Sequence, residues 1–172
     1  MAADLPAQLV ADTAATLRKY KALAEGALEQ VDDAALHRAL DEESNSLAVI
    51  VRHMAGNMRS RSTDFLTTDG EKPSRDRDGE FEPRPLSRAE LLAEWEDGWR
   101  IVFDAVDGLR PEDLLRTVRI RGEPMTASAA ITRQLAHYSY HVGQIVYLAR
   151  HLRRGPWRSL SIPRARPDAG GA

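Results

Sequence analysis

The sequence predicts an all-α protein, a four-helix bundle with one long crossover connection. Three observations lead there. Apolar residues recur at three- and four-residue spacing over four long stretches. Helix-capping residues stand at the starts of those stretches. One connection, residues 69–85, is far longer and more charged than the others. At 172 residues the chain can bury a real core as one domain. We expect that domain over residues 1–163 and a disordered tail over 164–172.

Asp4 before Leu5-Pro6 marks a first helix start, because proline suits a first turn where its missing N–H is not needed. Leu9, Val10, Thr13, Leu17, Tyr20, Ala24, Ala27, Leu28 and Val31 then follow at helical spacing, so the helix runs over about 5–31. Asp32-Asp33 ends it or caps a short turn carrying His37, which reads as a solvated surface residue. Ser44-Asn45-Ser46 supplies caps for the second helix, with Leu47, Ile50, Val51, Met54, Ala55 and Met58 as its apolar stripe. That helix is expected to give way near Thr67-Thr68-Asp69-Gly70.

Residues 69–85 read as a solvated crossover with local ion pairs, although long loops in compact domains are often functional. Such a length allows the helices it joins to be other than antiparallel neighbours. Ser87-Arg88-Ala89-Glu90 is a capping box opening a third helix through about Val106. Its Trp95 and Trp99 read as core or dimer interface. Thr117–Arg121 alternates polar and apolar before Gly122-Glu123-Pro124, which predicts a small hairpin or extended connection. Thr126 or Ser128 then caps a fourth helix over about 127–152. Its apolar arc is wide enough for more than two neighbours or for burial in an oligomer. The tail is expected to pack through Trp157, Leu160 and Ile162.

Composition narrows the function. Hydrophobic residues at 42% and charged residues at 29% argue against wholesale disorder. A formal net charge of −2 gives no basic footprint for nucleic acid. Cysteine is absent, so thiolate metal sites are excluded and any thiol chemistry needs an external thiol. The start lacks the pattern of a signal peptide, and no apolar run approaches the ~18 residues of a membrane span. The expectation is a soluble, cytoplasmic protein.

The chemistry concentrates in Gln134-Leu135-Ala136-His137-Tyr138-Ser139-Tyr140-His141. Positions i and i+4 share one helix face with Cβ atoms roughly 5–6 Å apart, so both imidazoles can reach one ion. His53 is the best third ligand. It sits at the edge of the second helix's buried face, in a row with Val49 and Asn57. Alone it would read as a satisfied or partly exposed histidine; the pair lends it weight. Three neutral histidines leave at least one position of a tetrahedral ion open. Imidazole suits zinc, nickel, iron or copper, and zinc or nickel is the expected divalent metal. Tyr138, Tyr140, Asn57 and Gln144 are placed to orient a water or a histidine N–H, or to pack. His151, beside Arg150 near a helix end, is not read as a ligand. Arg75 and Arg77 can approach an anionic ligand if the charged loop folds over the site.

These stretches resemble the DinB/YfiT-like superfamily of small four-helix metal-binding proteins, and most closely a branch described only as a domain of unknown function. The likeness covers residues 44–57, Thr63–Pro73, Arg77–Phe81, Ile120–Pro124, Arg133–Ile145 and Trp157–Pro163. It implies a crossover four-helix bundle and a divalent metal on three histidines, which fall on His53, His137 and His141. It also implies a homodimer, and relatives include thiol-dependent transferases and isomerases and proposed hydrolases. Ser74 stands where an aromatic is more usual. Function therefore stays divided between a metal-dependent transferase or hydrolase activating a thiol or water, a non-catalytic metal- or ligand-binding homodimer with a largely structural ion, and a helical dimer with an empty histidine cluster.

Overall fold

The computed structural model describes residues 4–162; the tail expected over 164–172 lies outside them. The order is α1 (Leu5–Leu28), α2 (Asp33–Leu36), α3 (Leu47–Ser62), α4 (Arg88–Asp107), a 3-10 turn (Pro111–Leu115), β1 (Thr117–Ile120), β2 (Glu123–Thr126) and α5 (Ala127–Leu152). The four long helices enclose one core that includes Leu17, Leu28, Val51, Met54, Trp95, Trp99, Tyr138 and Ile145. The fold is all-α with a two-stranded antiparallel hairpin before the last helix. Among the described residues no helix is long and apolar enough to cross a membrane.

Caps set most helix starts where the sequence predicts. Asp4, Ser46 and Thr126 each accept a backbone N–H of the first turn, and Ser87 with Glu90 completes the capping box. Asp32 caps the short α2 in the same way. Two helix ends fall earlier than expected. The end of α1 is taken over by Arg88, which donates to the carbonyls of Leu28 and Val31. Past Ser62 the chain turns, with Asp64 in the left-handed region at φ 49°. That turn sends Phe65 and Leu66 against Val118, Ile120 and Ala127, which takes part of their apolar surface out of water.

Side-chain pairs fix the helix directions. Arg18 meets Asp107 and Lys21 meets Glu96, so α1 and α4 are antiparallel. Asn57 meets Gln134 while His53 lies beside His141, so α3 and α5 are antiparallel too. On α3 and α4, Ala55 abuts Gly98 and Ser62 shares a cavity with Val102 and Ala105, a parallel pairing. Helix α3 is about 24 Å long at 1.5 Å per residue, and its successor must start again from the same end. Residues 63–87 make that return, which is the physical reason for the long connection.

The connection is only in part the solvated crossover with local ion pairs expected from its composition. The side chains of Arg75 and Glu80 are only 4% and 9% exposed. Its first part is pinned to the hairpin: Asp69 accepts the backbone N–H groups of Arg121 and Gly122 at 2.9 and 2.7 Å. Both turn residues have positive φ, 57° and 79°, the geometry of a tight two-residue hairpin. Trp95 and Trp99 are fully buried in the chain's own core, edge-to-face at 5.5 Å, so they offer no dimer surface. Trp157 and Leu160 pack on the core as expected, whereas Ile162 is 91% exposed.

Candidate metal centre

Helices α3 and α5 bring the three predicted histidines together. One nitrogen each from His53, His137 and His141 lies within 4.8 Å of the others. The ring centroids are 4.6 Å apart for His137 and His141, 4.9 Å for His53 and His141, and 5.4 Å for His53 and His137. The four-residue spacing on α5 sets the first distance, and antiparallel packing against α3 sets the others.

Hydrogen bonds assign two of the tautomers. His53 Nδ1 donates to Glu80 Oε2 at 2.9 Å, and His141 Nδ1 donates to Gln144 Oε1 at 2.8 Å. Each acceptor fixes the proton on Nδ1 and leaves the Nε2 lone pair free. His141 Nε2 and His137 Nδ1 are buried without a hydrogen-bond partner. A buried, unpaired polar nitrogen costs ~1–3 kcal/mol, and two of them on neighbouring histidines fit a set of donors for a cation. The cluster can hold a metal ion.

Two of its imidazoles are held in the neutral form. Burial, then the neighbouring His141 and His53 and the guanidiniums of Arg75 and Arg61, push His137 down to about 3. Burial also takes His141 down to about 4, against the opposing hydrogen bond to Gln144. Both imidazoles are therefore neutral near pH 7, the form that donates to a metal. Glu80 is the reverse case: burial raises it, but hydrogen bonds from Arg75 and His53 win and hold it below the ordinary carboxylate range.

Glu80 is the site residue that periodicity and spacing did not reveal. Its carboxylate accepts from Arg75 Nε and a terminal guanidinium nitrogen, both at 2.8 Å, while also holding His53. Arg52 of α3 clamps the loop by donating to the carbonyls of Gly79 and Glu82. Gly56, one turn beyond His53, makes the room: a Cβ there would stand 2.1 Å from Glu80 Oε1. A glycine three residues after a candidate ligand on its own helix face was the available signal.

The other predicted helpers divide. Gln144 orients His141, as just described. Asn57 and Tyr138 both bond Gln134 rather than a histidine, and Tyr140 packs its ring on His141 at 4.2 Å. Phe81 stacks on His53 at 4.6 Å. Arg75 does fold over the site, but with its guanidinium committed to Glu80 and Glu71. His37 and His151 are exposed, and His37 bonds the Leu86 carbonyl.

The histidines open into a cleft of about 480 Å³. A larger cleft of about 790 Å³ lies between residues 33–52 and 81–88. It is lined by both signs of charge, including Glu42, Glu43, Arg84 and Arg88, and holds none of the three histidines. Chemistry rather than volume therefore singles out the smaller one.

No curated protein matches this chain. A family model described as "Protein of unknown function (DUF1572)" matches residues 4–166, nearly the full length and spanning all three histidines, and the chain belongs to that family.

Proposed function

We propose that this chain is a divalent-metal-binding protein of the DinB/YfiT-like kind, in which His53, His137 and His141 hold the ion and leave positions for a small ligand. The observation that carries this is that one nitrogen from each of the three imidazoles lies within 4.8 Å of the others, in a cluster where His137 Nδ1 and His141 Nε2 are buried and unpaired among the described residues. The all-nitrogen donor set suits zinc or nickel. An ion held by these histidines would supply a lowered pKa for a bound water or low-molecular-weight thiol. The chain's own residues prepare that site. Glu80 and Gln144 hold two imidazoles by their Nδ1–H groups, and Phe81 and Tyr140 pack against the rings. On this reading the protein is a metal-dependent transferase or hydrolase.

A second reading has its own observation. Glu80, the carboxylate at the cluster, is fully engaged by Arg75 and His53, and among the described residues no carboxylate lines the cleft. With no free general base, the protein would be a non-catalytic metal- or ligand-binding homodimer. The exposed row Ala136, Tyr140, Gly143 and Tyr147 on α5 is the face a second copy would cover.

Elemental mass spectrometry on untagged protein tests the site, beside a His53→Ala, His137→Ala double variant. Near-stoichiometric metal in the parent, lost in the variant, is expected. A parent that holds no metal after reconstitution with zinc and nickel would sink both readings. Chelation then separates them. A structural ion lowers the melting temperature substantially when removed. A catalytic ion in a bundle whose helices pack without it leaves melting nearly unchanged.

A further inference from the structure

Among the described residues, the cleft in front of the histidines is lined by Arg61, Arg75, Arg77, Arg121 and Arg133 and by no carboxylate. This contrasts with a chain whose overall charge is −2. Three of the five are already engaged. Arg61 and Arg121 both bond Glu71, and Arg75 bonds Glu80 and reaches Glu71. Three guanidiniums thus share two carboxylates, which leaves that group a net positive charge.

The remaining two are open. Arg77 lies over the Phe81 ring at 5.3 Å and, among the described residues, pairs only with Asp78, at 3.4 Å, whose side chain is 97% exposed. Arg133 is exposed, and among the described residues it has no ion-pair partner. Its place on α5 is informative. Arg133, His137 and His141 form one row at four-residue spacing, so the guanidinium stem starts one turn, about 6 Å, from the nearer ligand histidine. On the opposing helix His53, Asn57 and Arg61 make the matching row, histidine at one end and arginine at the other. Two antiparallel rows therefore build a trough with imidazoles at one end and cations at the other.

We propose that this cleft binds a small anionic molecule, a carboxylate or phosphate, whose charged group is held by Arg133 about one helical turn from the histidines, with Arg77, over Phe81 beside His53, adding to the positive charge that draws it in. Guanidinium matches both anions with paired N–H donors, and the positive cleft draws them in. A volume of about 480 Å³ accommodates a metabolite-sized ligand rather than a polymer. Which atom of that ligand faces the histidines rests on the metal reading above; the anionic end does not.

The test is a titration of the full chain, followed by NMR chemical shifts, with butyrate, methyl phosphate and neutral butyramide at constant ionic strength. It is run with chelator and again with zinc, on the parent and on an Arg77→Gln, Arg133→Gln variant. Both side chains are at the surface, so the variant should keep its fold, which its amide spectrum verifies. Butyrate or methyl phosphate should bind in chelator, and butyramide should not. The variant should lose at least about tenfold in affinity for the anion. Whichever acid binds more tightly names the anion. The proposal is overturned if all three probes bind alike, or if the variant binds the acids as the parent does. Zinc retained with no anion binding would fail this proposal alone. Anion binding in chelator with no zinc uptake would fail the metal reading alone.

Discussion

Gly56→Ala should destabilise this protein, although the same change in most helix interiors stabilises it. Alanine is better than glycine in a helix by ~1 kcal/mol. Position 56 lies within α3 and is only half-buried, so propensity alone predicts a gain. The new Cβ, however, would stand 2.1 Å from Glu80 Oε1, 2.6 Å from its Cδ and 3.1 Å from its Cγ. A carboxylate at the end of a free side chain could swing aside at little cost. This one is buried and held by three hydrogen bonds, two from Arg75 and one from His53. Moving it by an ångström breaks at least one charge-assisted bond, worth ~1.5–3 kcal/mol. The net expectation is a loss of about 0.5–2 kcal/mol by urea unfolding, after the propensity gain is subtracted. A double-mutant cycle isolates the cause. In a Glu80→Ala background the clash is gone, and Gly56→Ala should there be neutral or stabilising. A parental Gly56→Ala that gains ~1 kcal/mol, as an unhindered helix site would, refutes the idea that Gly56 exists to seat Glu80.

Two further outcomes concern the same cluster. Gln144→Leu removes the acceptor that orients His141 and should weaken zinc or nickel binding by roughly tenfold, measured by competition with a chromophoric chelator; unchanged affinity would mean that packing alone orients the ring. The metal-free protein should lose stability as the pH falls from 6.5 toward 4. Unfolded, both imidazoles take up protons near their ordinary 6.5, whereas folded His141 does so near 4 and His137 near 3. Between those values the unfolded chain binds more protons, so stability rises with pH and is complete above about 6.5. Urea unfolding at pH 7 and pH 5 should show the drop, and a His137→Gln, His141→Gln variant should show a smaller one; an equal drop in both would place its origin elsewhere.

Periodicity made the helices legible because each stripe has a core to face, and caps made four starts legible because few residues can accept a first-turn N–H. The histidines were legible for a related reason: a four-residue spacing on one helix is a statement about three dimensions. Glu80 was not. It reaches His53 from 27 residues away, within a run of charge whose composition alone reads as solvated. Nothing local distinguishes Glu80 from Glu82, two residues on, which is exposed. Only the return path of the loop across α3 makes one of them a partner of His53. The early end of α3 was hidden likewise, because Phe65 and Leu66 find their partners in a hairpin more than fifty residues further along.

Those long-range contacts form one continuous ionic path. The turn of the hairpin donates two backbone N–H groups to Asp69, and Arg121 beside it pairs with Glu71 at 2.7 Å. Glu71, which burial raises but Arg61 and Arg121 hold down to about 2, stays ionised and also faces Arg75. Arg75 fixes Glu80, and Glu80 fixes His53. A buried carboxylate is tolerable only when its charge is paired and its oxygens bonded, so each member depends on the one before it. The bundle core, built on Trp95, Trp99 and Tyr138, contains no member of this path. Two properties that usually move together should therefore separate in part here. Core residues govern whether the helices assemble, while the loop and hairpin govern whether His53 presents its free nitrogen to an ion. The crossover that parallel α3 and α4 require is also what carries Arg75 and Glu80 to His53, so topology and the candidate metal site are one problem with one solution.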